Sequence, residues 1–167
     1  GSWTRVSTDL IARISTPDDY SVVATNEGVN ELIAVVEMGP DKVRGLFTNG
    51  HSMSTAGQLN QRYMRAFSLL PLLQIDDPEA ALVICFGVGN TAHAASLHHD
   101  LDRLDIVDIS RDVLEHAQWF DANNHGVLNH PKVQVFINDG RQHLWMQPED
   151  TYDLITLEPP PIAFAGV

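Results

Sequence analysis

The chain has 167 residues, 44% of them hydrophobic and 19% charged, which suffices to bury the core of one ordinary domain or of a small one plus part of another. Its net charge of −12, from 22 acidic against 10 basic residues, argues against sequence-independent nucleic-acid binding, which needs clustered Lys and Arg to displace counterions. The same charge suits a cationic small molecule, and equally an acidic surface that only keeps the protein soluble.

No apolar run reaches the roughly 18 residues of a membrane-spanning helix, and no signal-peptide pattern is present. Gly1-Ser2 reads as a cloning remnant, which leaves room for membrane segments upstream. The single cysteine, Cys85, excludes an intrachain disulfide, fits a reducing cytoplasmic compartment, and reads as a core residue of a buried strand.

Residues 1–16 are compatible with a short helix or strand, and Pro17-Asp18-Asp19 breaks the chain. Three short strands come next, 20–25, 31–38 and 43–48, separated by turns at Asn26-Glu27-Gly28 and Gly39-Pro40-Asp41 and closed by Asn49-Gly50. So small a sheet is too little to stand alone and should lean on the rest of the chain. It defines a β region over 1–56, ahead of a second region over 57–167.

That second region opens with an amphipathic helix over 58–73, its apolar side being Leu59, Tyr63, Ala66, Phe67 and Leu70. Strands and helices then alternate: strand 81–86, helix 91–99, strand 104–108, helix 111–123, strand 132–137, helix 140–146 and strand 152–157. Such alternation predicts an α/β fold with a parallel sheet and right-handed crossovers.

The first of these strands runs into Gly87-Val88-Gly89-Asn90. Glycines between a strand and a helix allow a tight turn and close approach of a nucleotide-like ligand, although the same turn also serves as a plain connection. The next strand ends in Asp108, 19 residues past Gly89 (108 − 89), where an acid is placed to accept hydrogen bonds from ribose hydroxyls. The third strand ends in Asn138-Asp139-Gly140 and the fourth in Glu158-Pro159-Pro160-Pro161, so three acids and a glycine turn share the carboxyl edge of one sheet. Asp139 alone also suits a helix N-cap. His98-His99-Asp100 reads as an exposed helix end and not a metal site, because neighbouring residues face different sides of a helix.

Taken together, Asn49-Gly50-His51-Ser52-Met53-Ser54-Thr55, Gly87-Val88-Gly89-Asn90, Val107-Asp108-Ile109, Asn138-Asp139-Gly140 and Tyr152-Asp153-Leu154-Ile155 resemble the spermidine/spermine synthases, the polyamine aminopropyltransferases. The resemblance covers about residues 20–167. The ending Glu158-Pro-Pro-Pro with Phe164-Ala165-Gly166-Val167 is similar to a bacterial branch often attached to membrane helices. It implies a small N-terminal β-sheet before a Rossmann-like, class I methyltransferase-type domain. It also implies transfer of aminopropyl from decarboxylated S-adenosylmethionine to an amine such as putrescine, without a metal. By the same resemblance Asp108 holds the ribose, Asp139 and Gly140 hold adenine, Gly87 and Gly89 line the thioether side, and Asn90 and Ile109 belong to the same donor-binding set. Glu158 stands nearest the chemistry and helps deprotonate the attacking amine, while Tyr63 positions the polyamine.

Departures from the family pattern concentrate at the amine. Asn90 stands where an acid normally contacts the aminopropyl group, Met53 replaces a glutamine, Ala56-Gly57-Gln58-Leu59 replaces an acid-rich run, and Glu158 replaces an aspartate. Two other readings therefore stay open: methyl transfer from S-adenosylmethionine, and a non-catalytic nucleoside-binding module of a membrane-associated protein. Family members also run on past this sequence. With the strand order 3-2-1-4 of the resemblance, the outer edge of strand 152–157 is left unpaired, so the expectation is a truncated or incompletely ordered chain, or an edge covered by a partner such as a second copy.

Overall fold

A computed structural model describes residues 20–28 and 31–157, in two compact units divided between Gly57 and Gln58. The predicted acid Glu158 lies outside the described residues.

The first unit is an antiparallel sheet of four strands, β1 (Tyr20–Glu27), β2 (Leu32–Met38), β3 (Val43–Thr48) and β4 (His51–Thr55), in the order β1-β2-β3-β4. Three of them are predicted by the sequence pattern. The fourth escapes it because His-Ser-Met-Ser-Thr carries no apolar alternation and is defined only by its pairing with β3. Asn49 and Gly50 make the hairpin between them at φ 51° and 84°, the left-handed pair that a tight two-residue hairpin requires. Ala34, Val36 and Phe47 form the sheet's buried cluster, with Val22 and Met38 packed on it.

The second unit begins with α1 (Gln58–Leu72) and β5 (Ala80–Ile84), then α2 (Asn90–Ser96), β6 (Arg103–Asp108) and α3 (Arg111–Glu115). After α3 come a 3₁₀ turn at Ala117–Phe120, α4 (Asp121–Asn124) and a second 3₁₀ turn at Val127–Asn129. Next are β7 (Val133–Ile137), α5 (Gly140–Trp145) and β8 (Leu154–Leu157). The four strands are parallel in the order β7-β6-β5-β8, so the strand order reverses beside β5. This is the predicted α/β fold, a small antiparallel sheet followed by a parallel one. Leu82, Val83, Leu104, Ile106 and Val107 are at most 1% exposed, because the two inner strands are covered on both faces. Among the described residues β8 ends the sheet, with Ile155 and Leu157 half exposed. No helix among them is long and apolar enough to cross a membrane.

Four local readings are corrected. Strand 81–86 stops at Ile84: Cys85 turns to φ 71°, so it is half-buried at a loop entry and not a core strand residue. Helix 91–99 ends at Ser96, which places His98, His99 and Asp100 beyond it. Helix 111–123 is broken: its first segment ends at Glu115, and further on the Asn124 amide takes the carbonyl of Ala117 at 3.0 Å while Asp121 N–H bonds Gln118 instead. In α1 the helical period holds but the inward face differs. Leu59, Tyr63, Phe67 and Leu70 are exposed, while Met64, Ser68 and Leu72 are buried. The Ser68 hydroxyl donates to the carbonyl of Thr91 (2.9 Å) and the Thr91 hydroxyl to that of Met64 (3.0 Å), so small polar residues seat α1 on α2.

Asp153 ties the start of β8 to the start of β5. Its Oδ2 accepts from the backbone N–H of Glu79 and of Ala80, both at 2.9 Å, and these bonds hold its carboxyl below the usual carboxylate range. A depressed folded-state pKa stabilises the fold above the unfolded value of about 3.9, and the contribution disappears as pH falls through the folded value. Asp153→Ala is expected to cost about 1 kcal/mol at neutral pH, a modest figure because the group is exposed. Urea denaturation of both proteins at neutral pH and in acid checks this, with the gap between the two curves narrowing as pH falls.

Candidate functional site

The carboxyl edge of the parallel sheet gathers the ends of β5, β6 and β7, and a buried carboxylate joins the first two. The last backbone bond between these strands runs from Cys85 N–H to the Val107 carbonyl (2.9 Å). The next N–H, that of Phe86, donates instead to Asp108 Oδ2 at 2.7 Å. The other oxygen, Oδ1, accepts from Ser110 N–H at 2.9 Å. The Ser110 hydroxyl in turn accepts from Val113 N–H (3.0 Å) and caps α3. Asp108 is 8% exposed, and Ile109 beside it is 74% exposed. An aliphatic side chain therefore stands in the open next to a nearly buried carboxylate.

The glycine turn leaves β5 through alternating left-handed residues, Cys85, Gly87 (φ 55°) and Gly89 (φ 84°). A Cβ on Gly89 would lie 2.6 Å from the Phe86 ring and 2.8 Å from Asn124 Cβ. The close approach that demands glycine here is the protein's own. Gly140 behaves likewise, since a Cβ there would meet Ile84 at 2.4 Å as α5 starts against the end of β5. Asp139 is exposed and caps α5, its Oδ1 accepting from Gln142 N–H at 2.8 Å.

Asn90 begins α2 and is 1% exposed. Its Nδ2 points at the Met64 sulfur (3.4 Å), and its Oδ1 has no partner among the described residues. Tyr63 is half exposed on α1, its ring edge-on to Phe67 with centroids 6.1 Å apart. Gly87, Gly89, Asn90, Asp108, Ile109, Asp139 and Gly140 thus stand at the ends of three neighbouring strands, whereas Tyr63 lies on α1.

A polar chain unforeseen in the sequence anchors α5 to the sheet. The Tyr152 hydroxyl donates to Asp105 Oδ2 at 2.6 Å, and His143 Nε2 meets the same hydroxyl at 3.0 Å. Tyr152 has one proton and Asp105 takes it, so His143 must donate through Nε2–H. Burial, and then the bond to Asp105, push the Tyr152 hydroxyl well above its ordinary value. Arg103 closes the group, its guanidinium 5.2 Å over the Tyr152 ring and its Nε 3.6 Å from Asp105. Asp105 and His143 are each 3% exposed. The only signal in the sequence is an acid in mid-strand, and periodicity alone gives it no partner.

The rings of His98 and His99 stack at 5.3 Å, and the donor atoms of His98, His99 and Asp100 fall within 4.8 Å of one another. They do not face different sides, because the helix has already ended. The Lys132 ammonium, 2.9 Å from the His98 carbonyl, places a positive charge on the same turn and opposes a cation there.

The spermine/spermidine synthase domain family matches residues 60–161. Spermidine synthase 2 of Hyoscyamus niger is 30% identical over 105 residues, covering 60% of this chain and 34% of that protein. Among solved structures, spermidine synthase from Thermotoga maritima superposes with a TM-score of 0.75 at 19% identity, over 85% of this chain and 48% of that one. A spermidine synthase in complex with the transition state analogue AdoDATO gives 0.73 at 19%, over 81% and 45%. The chain spans about a third of the curated relative and under half of the solved ones.

Tyr152→Phe is expected to destabilise the protein by about 2–3 kcal/mol, since it leaves the Asp105 carboxylate buried without its short bond. Asp105→Asn should cost less, because an amide oxygen still accepts from the Tyr152 hydroxyl. Denaturation midpoints of the two variants check the order.

Proposed function

We propose, from the premise that this chain belongs to the spermine/spermidine synthase domain family, that it carries the donor half of an aminopropyltransferase site. The donor is decarboxylated S-adenosylmethionine and the acceptor a small amine such as putrescine. The observation that carries this reading is the Asp108 carboxylate, which stands beside an exposed aliphatic residue and is bonded to the glycine turn that leaves β5, the strand beside which the strand order reverses. Open α/β sheets bind their ligands at that point.

In this reading Asp108 accepts from the ribose hydroxyls beside its two backbone bonds, and the Ile109 side chain offers an apolar face to the adenine. Asp139 and the N–H of Gly140 read the edge of the base. Gly87 and Gly89 bring backbone alongside the sulfur, and Asn90 closes that side with its backbone, its amide being turned away toward Met64. The sulfonium supplies a carbon activated for displacement. Tyr63 orients the amine, and Glu158 takes its proton so that the nitrogen lone pair can form the new C–N bond as the C–S pair returns to sulfur. Positioning carries much of such an in-line step, and a carboxylate near the amine supplies the rest.

A solved protein of this fold is described with a transition state analogue, which supports the donor assignment. A reducing, cytoplasmic setting fits the one free thiol, Cys85. Homodimerisation and attachment to membrane segments rest on the family resemblance alone.

Calorimetric titration with methylthioadenosine, decarboxylated S-adenosylmethionine and S-adenosylmethionine tests the pocket. The expected result is preference for the first two, weakened about tenfold or more by Asp108→Ala. Preference for S-adenosylmethionine would contradict the donor. Release of methylthioadenosine should depend on added putrescine and be lost in Glu158→Gln; donor binding without such release would leave a binding module.

A further inference from the structure

The segment between β6 and β7 sends one side chain into the glycine turn. Asn124 ends α4 and is 1% exposed. Its Nδ2 donates to the carbonyl of Val88, inside the turn, at 3.2 Å and to that of Ala117 at 3.0 Å. Its Oδ1 accepts from Gly126 N–H at 2.8 Å. Two carbonyls on one side and an N–H on the other leave the amide a single satisfying orientation. The contact is also steric, because the Asn124 Cβ occupies the space that a side chain on Gly89 would need. The chain returns directly after it through left-handed His125 (φ 53°) and Gly126 (φ 65°), which brings the Gly126 N–H back to the amide oxygen.

A second contact holds the same segment to α2. The ring of His125 packs on that of His93 with centroids 4.3 Å apart. Burial first, then His125, Arg65 and His130, lower the pKa of His93, which favours its neutral ring. The segment is therefore attached to the glycine turn and to the helix that the turn starts.

We infer that Asn124 is a positioning residue of the nucleoside site: it holds the Val88–Gly89 backbone in the shape in which the turn receives the ligand. This rests on the donor reading above, although the hold itself does not. Asp108 grips the turn at Phe86 from β6, and Asn124 grips it at Val88 from α4, so two side chains of different elements fix a loop of five residues. Asparagine is required because the site presents two acceptors and one donor, and neither a carboxylate nor an aliphatic side chain matches that set.

The test uses Asn124→Ala and Asn124→Asp, with Leu104→Ala as a control that weakens the core at the opposite end of β6. In the ligand-free protein, amide exchange of Phe86 and Gly89 should quicken about tenfold in Asn124→Ala, relative to Leu82–Ile84 in β5. Leu104→Ala should not single out those two amides. Methylthioadenosine should bind Asn124→Ala about tenfold more weakly at a temperature where the variant is folded, and the control with near wild-type affinity. Asn124→Asp should bind weakly at neutral pH and recover in mild acid, where the protonated carboxyl regains a donor; wild type and Asn124→Ala should lack that recovery. Unchanged exchange at Phe86 and Gly89 in a folded Asn124→Ala would overturn the hold. Faster exchange with unchanged affinity would overturn its role in the site. If the wild type binds no nucleoside, the donor reading fails, and exchange alone decides the hold.

Discussion

One carboxylate governs the geometry of the parallel-sheet unit. Where β5 departs from its ladder with β6, the next N–H would be left unpaired in a nearly dry place, at a cost of about 1–3 kcal/mol. Asp108 continues the ladder with a side chain. The same group bonds the N–H of Ser110, and Ser110 caps the following helix. Glycine turn, strand end and helix start are thereby fixed relative to one another before any ligand arrives. Such pre-organisation would serve the displacement proposed for this site, in which misplacement of the reacting atoms costs rate directly.

The glycines acquire a different meaning in this light. A glycine between strand and helix is usually explained by the ligand's need for room. Here a side chain on Gly89 would strike Phe86 and Asn124, and one on Gly140 would strike Ile84. Close packing of the protein on itself thus selects both residues. The positive φ of Gly89 adds a second reason that holds without ligand.

Much of this is legible in the sequence, for identifiable reasons. The alternation of apolar runs and helical periods reveals the parallel sheet. The ends of its strands show themselves because acids and glycines interrupt β-branched runs at Asp108 and at Asn138-Asp139-Gly140. What stays hidden depends on partners far apart in the chain. The α1 surface chosen for burial is decided by hydrogen bonds from Ser68 and Thr91, which no hydrophobic count includes. Strand β4 exists through pairing alone. By periodicity Asn124 is only the residue just past a continuous helix, although Asn-His-Gly is a stop signal of the kind that ends helices. Asp105, Tyr152 and His143 come together only once β8 is laid beside β5.

The proposed amine side is where the sequence departs from the family pattern by resemblance, and the structure shows one of those positions directly. Asn90 is buried against Met64, so it supplies no exposed polar group to the site. Asp108, Ile109 and Asp139, the residues proposed for the nucleoside, stand at neighbouring strand ends. The central claim, that this edge receives the nucleoside of the donor, is tested most directly by mapping amide chemical shifts as methylthioadenosine is added. Shifts should concentrate at Phe86–Asn90, Asp108–Ser110 and Asn138–Gly140. Saturable shifts that leave those three segments unmoved and gather elsewhere would contradict it.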